Sequence, residues 1–205
     1  MPYIIAGLGN PGEEYEGTRH NAGRMVLEAI RKGYAASAFE HDKKLNALTA
    51  EATIGGAKAL LVAPDGFMNN SGKSLAPIVT AKKDAALKRN AANGLLVIYD
   101  DFQLPIGRMK LSYDKSSGGH NGLESVIKAV KTQAFPRLRI GTAPADAKGN
   151  AKVPHGDEKI EKFILGPFKP EELKALKKAA AKAVKVAEIW VKEGREKATN
   201  VANTD

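Results

Sequence analysis

The chain has 205 residues, 43% of them hydrophobic and 27% charged, which is enough for one well-buried core and too apolar for a disordered chain. It contains no cysteine, which removes disulfides, thiolate metal sites and cysteine nucleophiles, and its longest apolar runs are strand-sized, too short to span a membrane. The net charge of +9 and a pI near 9.6 point toward an anionic partner.

Met1-Pro2-Tyr3-Ile4-Ile5 enters an apolar segment at once, without the basic region and small-residue cleavage site of an export signal, so a cytoplasmic protein is expected. Tyr3 to Leu8 predicts a buried strand, and Thr18 is the expected N-cap of a helix running to about Arg31 and closed by Gly33. Leu48 to Ile54 and Ala57 to Ala63 flank Gly55-Gly56, a two-residue hairpin signal, so an antiparallel pair follows. Ser71 to about Lys88 is helical in composition with Pro77 near a turn or kink, and Gly94 to Tyr99 is an uncharged run expected as a central strand ending at Asp100. A short strand around Arg108 to Leu111, a loop from Asp114 to Gly119, a helix from Asn121 to Lys131 and a strand around Leu138 to Thr142 come next. Ala143 to Asp157 lacks periodicity and is expected as a surface loop.

Phe168 to Lys192 closes the pattern with a helix that has Pro170 in its first turn and turns a stripe of Leu173, Leu176, Ala180, Ala183, Val184, Ala187 and Val191 toward the body. Lys174, Lys178, Lys182 and Lys185 fall on its other face, either solvated or facing RNA. Strands and helices alternate throughout. The expected architecture is α/β, a single domain over residues 1–205 with a twisted mixed β-sheet flanked by helices on both faces.

Two phosphate-binding motifs fail on inspection. Gly7-Leu8-Gly9-Asn10-Pro11-Gly12 satisfies the dinucleotide-binding spacing, but Pro11-Gly12 is a turn pair, no helix is expected to begin there, and no acidic residue ends a second parallel strand about 20 positions on. Gly72-Lys73-Ser74 resembles the end of a nucleotide-binding loop, yet Gly66 lies one residue too far upstream for the opening glycine. Asn69-Asn70-Ser71 is formally a glycosylation sequon and carries no weight without an export signal.

Four other stretches place one imidazole and several amides in Gly-rich turns: Gly9 to Gly12, Thr18 to Asn21, Phe67 to Asn69 and Gly119 to Gly122. Asp100-Asp101 follows the central apolar run and offers the carboxylate that a histidine base needs as a partner. With no nucleophile in the pattern, direct activation of water is expected. His41 and His155 lie in polar stretches, and no pair among the four histidines has helical metal-ligand spacing, so neither a metal nor another cofactor is expected.

These residues are similar to those of bacterial-type peptidyl-tRNA hydrolase. The resemblance runs in order through Gly7 to Gly12, Tyr15, Thr18 to Gly23, Phe67 to Gly72, Asp100-Asp101 with Leu104-Pro105 and Gly107, Gly118 to Leu123, and Arg137 to Gly141, over most of the chain. It implies hydrolysis of the ester joining a peptide, or an N-blocked aminoacyl group, to the 3′ ribose of tRNA. Such an ester is already activated, so a general base and an oxyanion donor suffice, and no metal is required. His20 is the expected base, its charged form disfavoured by a helix N-terminus and favoured by its partner Asp100, giving a neutral imidazole at pH 7.

Asn10 is expected in the catalytic set, Asn69 and Asn121 on the peptide, and Tyr15 and Phe67 against the terminal base or ribose. Met68 is expected beneath the site, and His120 as a loop-orienting residue. Lys110 and Arg139 match positions that the family uses around the acceptor-stem phosphates. The expected partner is therefore peptidyl-tRNA, with no DNA and no membrane, and the expected state a monomer. Gln103, where the family commonly has an acid, and the longer 143–157 segment depart from the pattern. A non-catalytic RNA-binding, splicing-factor-like module on the same fold is the alternative, and a hydrolase for another acyl ester is a third reading.

Overall fold

The structure, a computed structural model, describes residues 3–80 and 94–204. A seven-stranded sheet forms the centre, built from β1 (Tyr3–Gly7), β2 (Glu40–Asp42), β3 (Ala47–Ile54), β4 (Ala57–Pro64), β5 (Leu95–Pro105), β6 (Met109–Tyr113) and β7 (Pro136–Ala143) in the order β2-β3-β4-β1-β5-β7-β6. β4, β1, β5 and β7 run parallel, while β2, β3 and β6 join antiparallel at the two sides. The expected mixed sheet is therefore present. The hairpin turn is Gly55-Gly56 with φ of 56° and 83°, values that a β-branched or bulky residue would adopt only under strain.

Among the described residues six α-helices accompany the sheet: α1 (Ala22–Gly33), α2 (Ser71–Thr80), α3 (Asn121–Val130), α4 (Asp157–Ile164), α5 (Pro170–Glu193) and α6 (Arg195–Asn203). Successive strand residues point to opposite faces, and the core divides accordingly. Ile5, Ile98, Leu138 and Ile140 pack with Val26 and Leu27 of α1, Leu176, Ala183 and Trp190 of α5 and Ala198 of α6. Ala6, Leu8, Val97 and Tyr99 pack with Leu75 and Val79 of α2 and with Leu123 and Val126 of α3. Helices thus cover both faces, as expected for a largely parallel sheet. No helix among the described residues is long and apolar enough to cross a membrane.

Several boundaries correct the expectations. Thr18 does not cap a long helix: its Oγ1 donates to Tyr15 O at 2.7 Å, a single 3₁₀ turn covers Arg19–Asn21, and α1 begins only at Ala22. The helix expected from Ser71 is α2, continuous through Pro77; residues 81–88 of that expectation lie outside the described residues. The 143–157 segment is a loop closed by an Ala145–Ala151 bridge, and the chain after it forms α4, which the weak pattern of Asp157–Ile164 did not announce. Beyond α5, Gly194 turns the chain at φ 87° into α6, also unforeseen. Of the lysine face of α5, Lys182 is committed internally, donating to the carbonyls of Ala202 and Thr204 at the end of α6. Lys174, Lys178 and Lys185 are exposed.

Candidate active site

A cleft of about 1090 Å³ opens over the ends of β1, β4 and β5. Ligand sites of open α/β sheets gather at the carboxyl ends of parallel strands, and the side chains here arrive from both sides of the sheet. The central strand does not end at Asp100 as expected: β5 runs on to Pro105, and Asp100 is the sixth of its eleven residues, 2% exposed, just beyond the stretch that pairs with β1. His20 reaches it from the turn ahead of α1, its Nδ1–H donating to Oδ1 at 2.9 Å and Oδ2 at 3.1 Å. His120 reaches it from the start of α3, Nε2–H donating to Oδ1 at 2.9 Å.

Both tautomers follow from these partners. His120 caps α3, its Nδ1 accepting Leu123 N–H at 3.1 Å, so its proton sits on Nε2. An ionised Asp100 can only accept, so the His20 proton sits on Nδ1, leaving Nε2 as the lone-pair nitrogen of a residue that lines the cleft. For Asp100, burial is the largest influence and raises the pKa, but the charges and hydrogen bonds of the two histidines outweigh it and hold the carboxyl well below the usual range. For His20, burial is again the largest single influence and lowers the pKa, yet the charge and hydrogen bond of Asp100 together raise it above 6.5. Burial and the carboxylate thus oppose each other, the carboxylate wins, and the free base grows as pH rises through the raised value.

Asn10 is held on three sides. Its Oδ1 accepts Met68 N–H at 2.8 Å, its N–H donates to Asn21 Oδ1 at 2.8 Å, and Asn21 Nδ2 donates to its carbonyl at 2.9 Å. A backbone N–H can pair only with the amide oxygen, so the Asn10 Nδ2–H₂ group is the one left for the cleft. His20, Asp100 and His120 also form the one group among the described residues whose donor atoms lie within 4.8 Å of one another. The atoms that would bind a cation there are engaged in N–H···O bonds, an arrangement suited to holding protons.

The sequence profile of the family described as peptidyl-tRNA hydrolase matches residues 4–205. The chain belongs to the peptidyl-tRNA hydrolase family. It is 36% identical over 200 residues to a peptidyl-tRNA hydrolase of Desulfitobacterium hafniense (strain Y51), covering 98% of each chain. It is 40% identical over 187 residues to one of Aquifex aeolicus (strain VF5), covering 89% of this chain and 86% of the relative. Its fold superposes on the crystal structure of peptidyl-tRNA hydrolase from Acinetobacter baumannii with a TM-score of 0.84 at 28% identity, covering 99% and 95%.

Within this peptidyl-tRNA hydrolase fold, Asn10, Tyr15, His20, Phe67, Asn69, Asp100, Asn121 and Arg139 all line the one cleft. Phe67 is 60% exposed there, an aromatic face without a core to fill. Met68 lies buried beneath, and Gly122 passes so close that a Cβ would meet its Sδ at 2.3 Å. Lys110 is not among the lining residues: it stands on β6 opposite Arg139. Arg139 donates from Nε to Asp101 Oδ2 at 2.6 Å, leaving its Nη groups for the cleft.

Several supporting residues were not foreseen. Lys115 lines the cleft where Lys110 does not. Arg137, fully buried, donates to the carbonyls of Lys115, Ser116 and Gln133 and so fixes the loop leading to His120. Arg19 donates to Gly166 O at 3.1 Å, Pro167 O at 2.7 Å and Glu172 Oε2 at 2.8 Å, stapling the α4–α5 junction to the turn that carries His20. Ile160, Ile164 and Leu165 of that region form an apolar wall of the cleft. The signal for both arginines was their place inside the matched motifs, beside His20 and Arg139.

Proposed function

We propose that the chain hydrolyses the ester between the peptide, or an N-blocked aminoacyl group, and the 3′ ribose of tRNA, with water activated by His20. His20 Nε2 takes a proton from water as its oxygen attacks the ester carbonyl. Asp100 orients the ring and stabilises the imidazolium that forms. Asn10 Nδ2 donates to the developing oxyanion. The tetrahedral intermediate then collapses, and the ribose oxygen leaves with the proton returned from His20, so the products are free tRNA and a peptide carboxylic acid, which releases its proton to solvent as the carboxylate. The observation that carries this reading is the His20 Nδ1–Asp100 pair at 2.9 Å beneath a cleft large enough for a nucleotide and a peptide end.

Asn69 and Asn121 hold the peptide, and Tyr15 and Phe67 stack on the terminal base or ribose. Arg139, with Lys110 and Lys115 nearby, contacts acceptor-stem phosphates. The whole chain acts as one domain and a cytoplasmic monomer, without a cofactor and without DNA as a partner. A purely RNA-binding role is not favoured, because it would leave the His20–Asp100–His120 arrangement and the Asn10 donor without use. The test is to incubate the protein with N-acetylaminoacyl-tRNA and with its free-amine form, with and without a chelator. Cleavage of the blocked form alone, unaffected by the chelator, is expected; equal cleavage of both forms would contradict the reading of an N-blocked ester as the substrate.

A further inference from the structure

A second groove of about 410 Å³ lies over the seam of α2 and α3, lined by Lys73 from α2 and by Glu124, Ser125, Lys128 and Ala129 from α3. The seam is tight: Gly72 N–H donates to Ser125 Oγ at 3.0 Å, and a Cβ on Gly72 would meet Ser125 O at 2.1 Å. Asn69 and Asn121 line both this groove and the catalytic cleft, so the two are continuous. The strand order sorts the chemistry across the sheet. Phe67 to Asn69 follow β4, Asn10 follows β1, Asp100 stands on β5, and Arg139 stands on β7, so amides lie on one side of the base and cations on the other.

We infer that the groove over the α2–α3 seam receives the peptide of the substrate beyond the residue esterified to tRNA, and that Lys73 and Lys128 favour acidic side chains there. This rests on the reading of the His20 cleft as the peptidyl-tRNA ester site. With phosphates drawn to the Arg139 side, the acyl group leaves on the Asn69–Asn121 side. Lys73 lies about one helical turn from Asn69 and Lys128 about two turns from Asn121, so an extended chain rising about 3.3 Å per residue meets them within about two or three residues. Lys73 is exposed and has no carboxylate partner in an ion pair among the described residues. Lys128 pairs with Glu124 at 3.4 Å while 74% exposed, a contact weak enough to be exchanged for a peptide carboxylate. The cleft amides touch the backbone and do not read side chains, so a preference among peptides arises in this groove.

The experiment compares three substrates on one tRNA: an N-acetylaminoacyl ester, an N-acetylated tetrapeptide with acidic residues ahead of the esterified one, and the same peptide with lysines. At low salt the wild type should show a KM about 3- to 10-fold lower for the acidic than for the basic tetrapeptide. The double variant Lys73→Glu/Lys128→Glu should reverse that order and leave the single-residue substrate unchanged. Equal KM values for both tetrapeptides would overturn the inference, as would a variant that weakens all three substrates alike, because the lysines would then act on tRNA phosphates. A wild type that cleaves none of the three would instead remove the reading on which the inference rests.

Discussion

At the residue scale the account turns on one carboxylate shared by two imidazoles. His20 and Asp100 could be named from their motifs, but the second donor, His120 Nε2, could not, because its tautomer is set by the Leu123 N–H it accepts at a helix start. The balance between burial and the carboxylate 2.9 Å away likewise depends on geometry that spacing does not contain. The pKa of His20 is raised above 6.5, so kcat/KM should climb with pH to a midpoint above that value. In Asp100→Asn the raising charge is gone and burial remains, so the midpoint should move below 6.5 while the rate falls. Stability follows opposite signs at the two partners. His20 contributes stability present below pH 6.5 and lost as pH rises through its raised value, whereas Asp100 contributes stability present above the ordinary carboxylate pKa and lost as pH falls through its lowered one. Urea unfolding at several pH values checks this, and a stability curve that rises steadily through neutrality would contradict it. Asn10→Asp keeps an oxygen for Met68 N–H but removes the Nδ2 donor, so kcat should drop by about 10²- to 10³-fold with little change in melting temperature.

At the element scale, the strands were legible because β1 and the first half of β5, Leu95 to Tyr99, read as uninterrupted apolar runs, whereas the second half of β5, which holds Asp100, Asp101 and Gln103, did not read as strand. The Gly55-Gly56 hairpin and α5 were legible for equally local reasons, a turn pair and a long apolar stripe. What escaped were elements stabilised mainly by tertiary contact: the three-residue β2, the short α4, and α6, whose Asn203 pairs with both main-chain groups of Leu111 on the edge strand β6. The late start of α1 has a packing cause. Gly23 sits where the helix presses on the strands, and a Cβ there would lie 2.4 Å from Ile98 O and 2.6 Å from Leu8 O. The turn carrying His20 therefore lies directly against β5 beside Asp100. Gly23→Ala should destabilise the protein by about 1–3 kcal/mol, read as a lowered melting temperature, and should slow hydrolysis by displacing His20. An unchanged melting temperature would show that α1 can lift from the sheet without cost.

At the scale of the whole molecule, a chain carrying +9 meets a polyanion, and its cleft has cations on one side and amides on the other. Charge pointed to an anionic partner but gave no place for it, and of the basic positions taken from the family resemblance Lys110 falls outside the cleft while the unforeseen Lys115 falls inside it, on the loop that Arg137 fixes. If three or four phosphates are contacted, KM for peptidyl-tRNA should rise on the order of 10- to 100-fold between 50 and 200 mM salt, while kcat stays level. A KM insensitive to salt would place the affinity in stacking instead. The proposed function puts at the centre a histidine that makes water the nucleophile, and that step is open to direct measurement. Single-turnover cleavage of N-acetylaminoacyl-tRNA by wild type and His20→Ala, with tRNA affinity and melting temperature measured in parallel, should show a loss of about 10²- to 10⁴-fold in rate with binding and stability preserved. A His20→Ala protein that still cleaves at close to the wild-type rate would contradict the account.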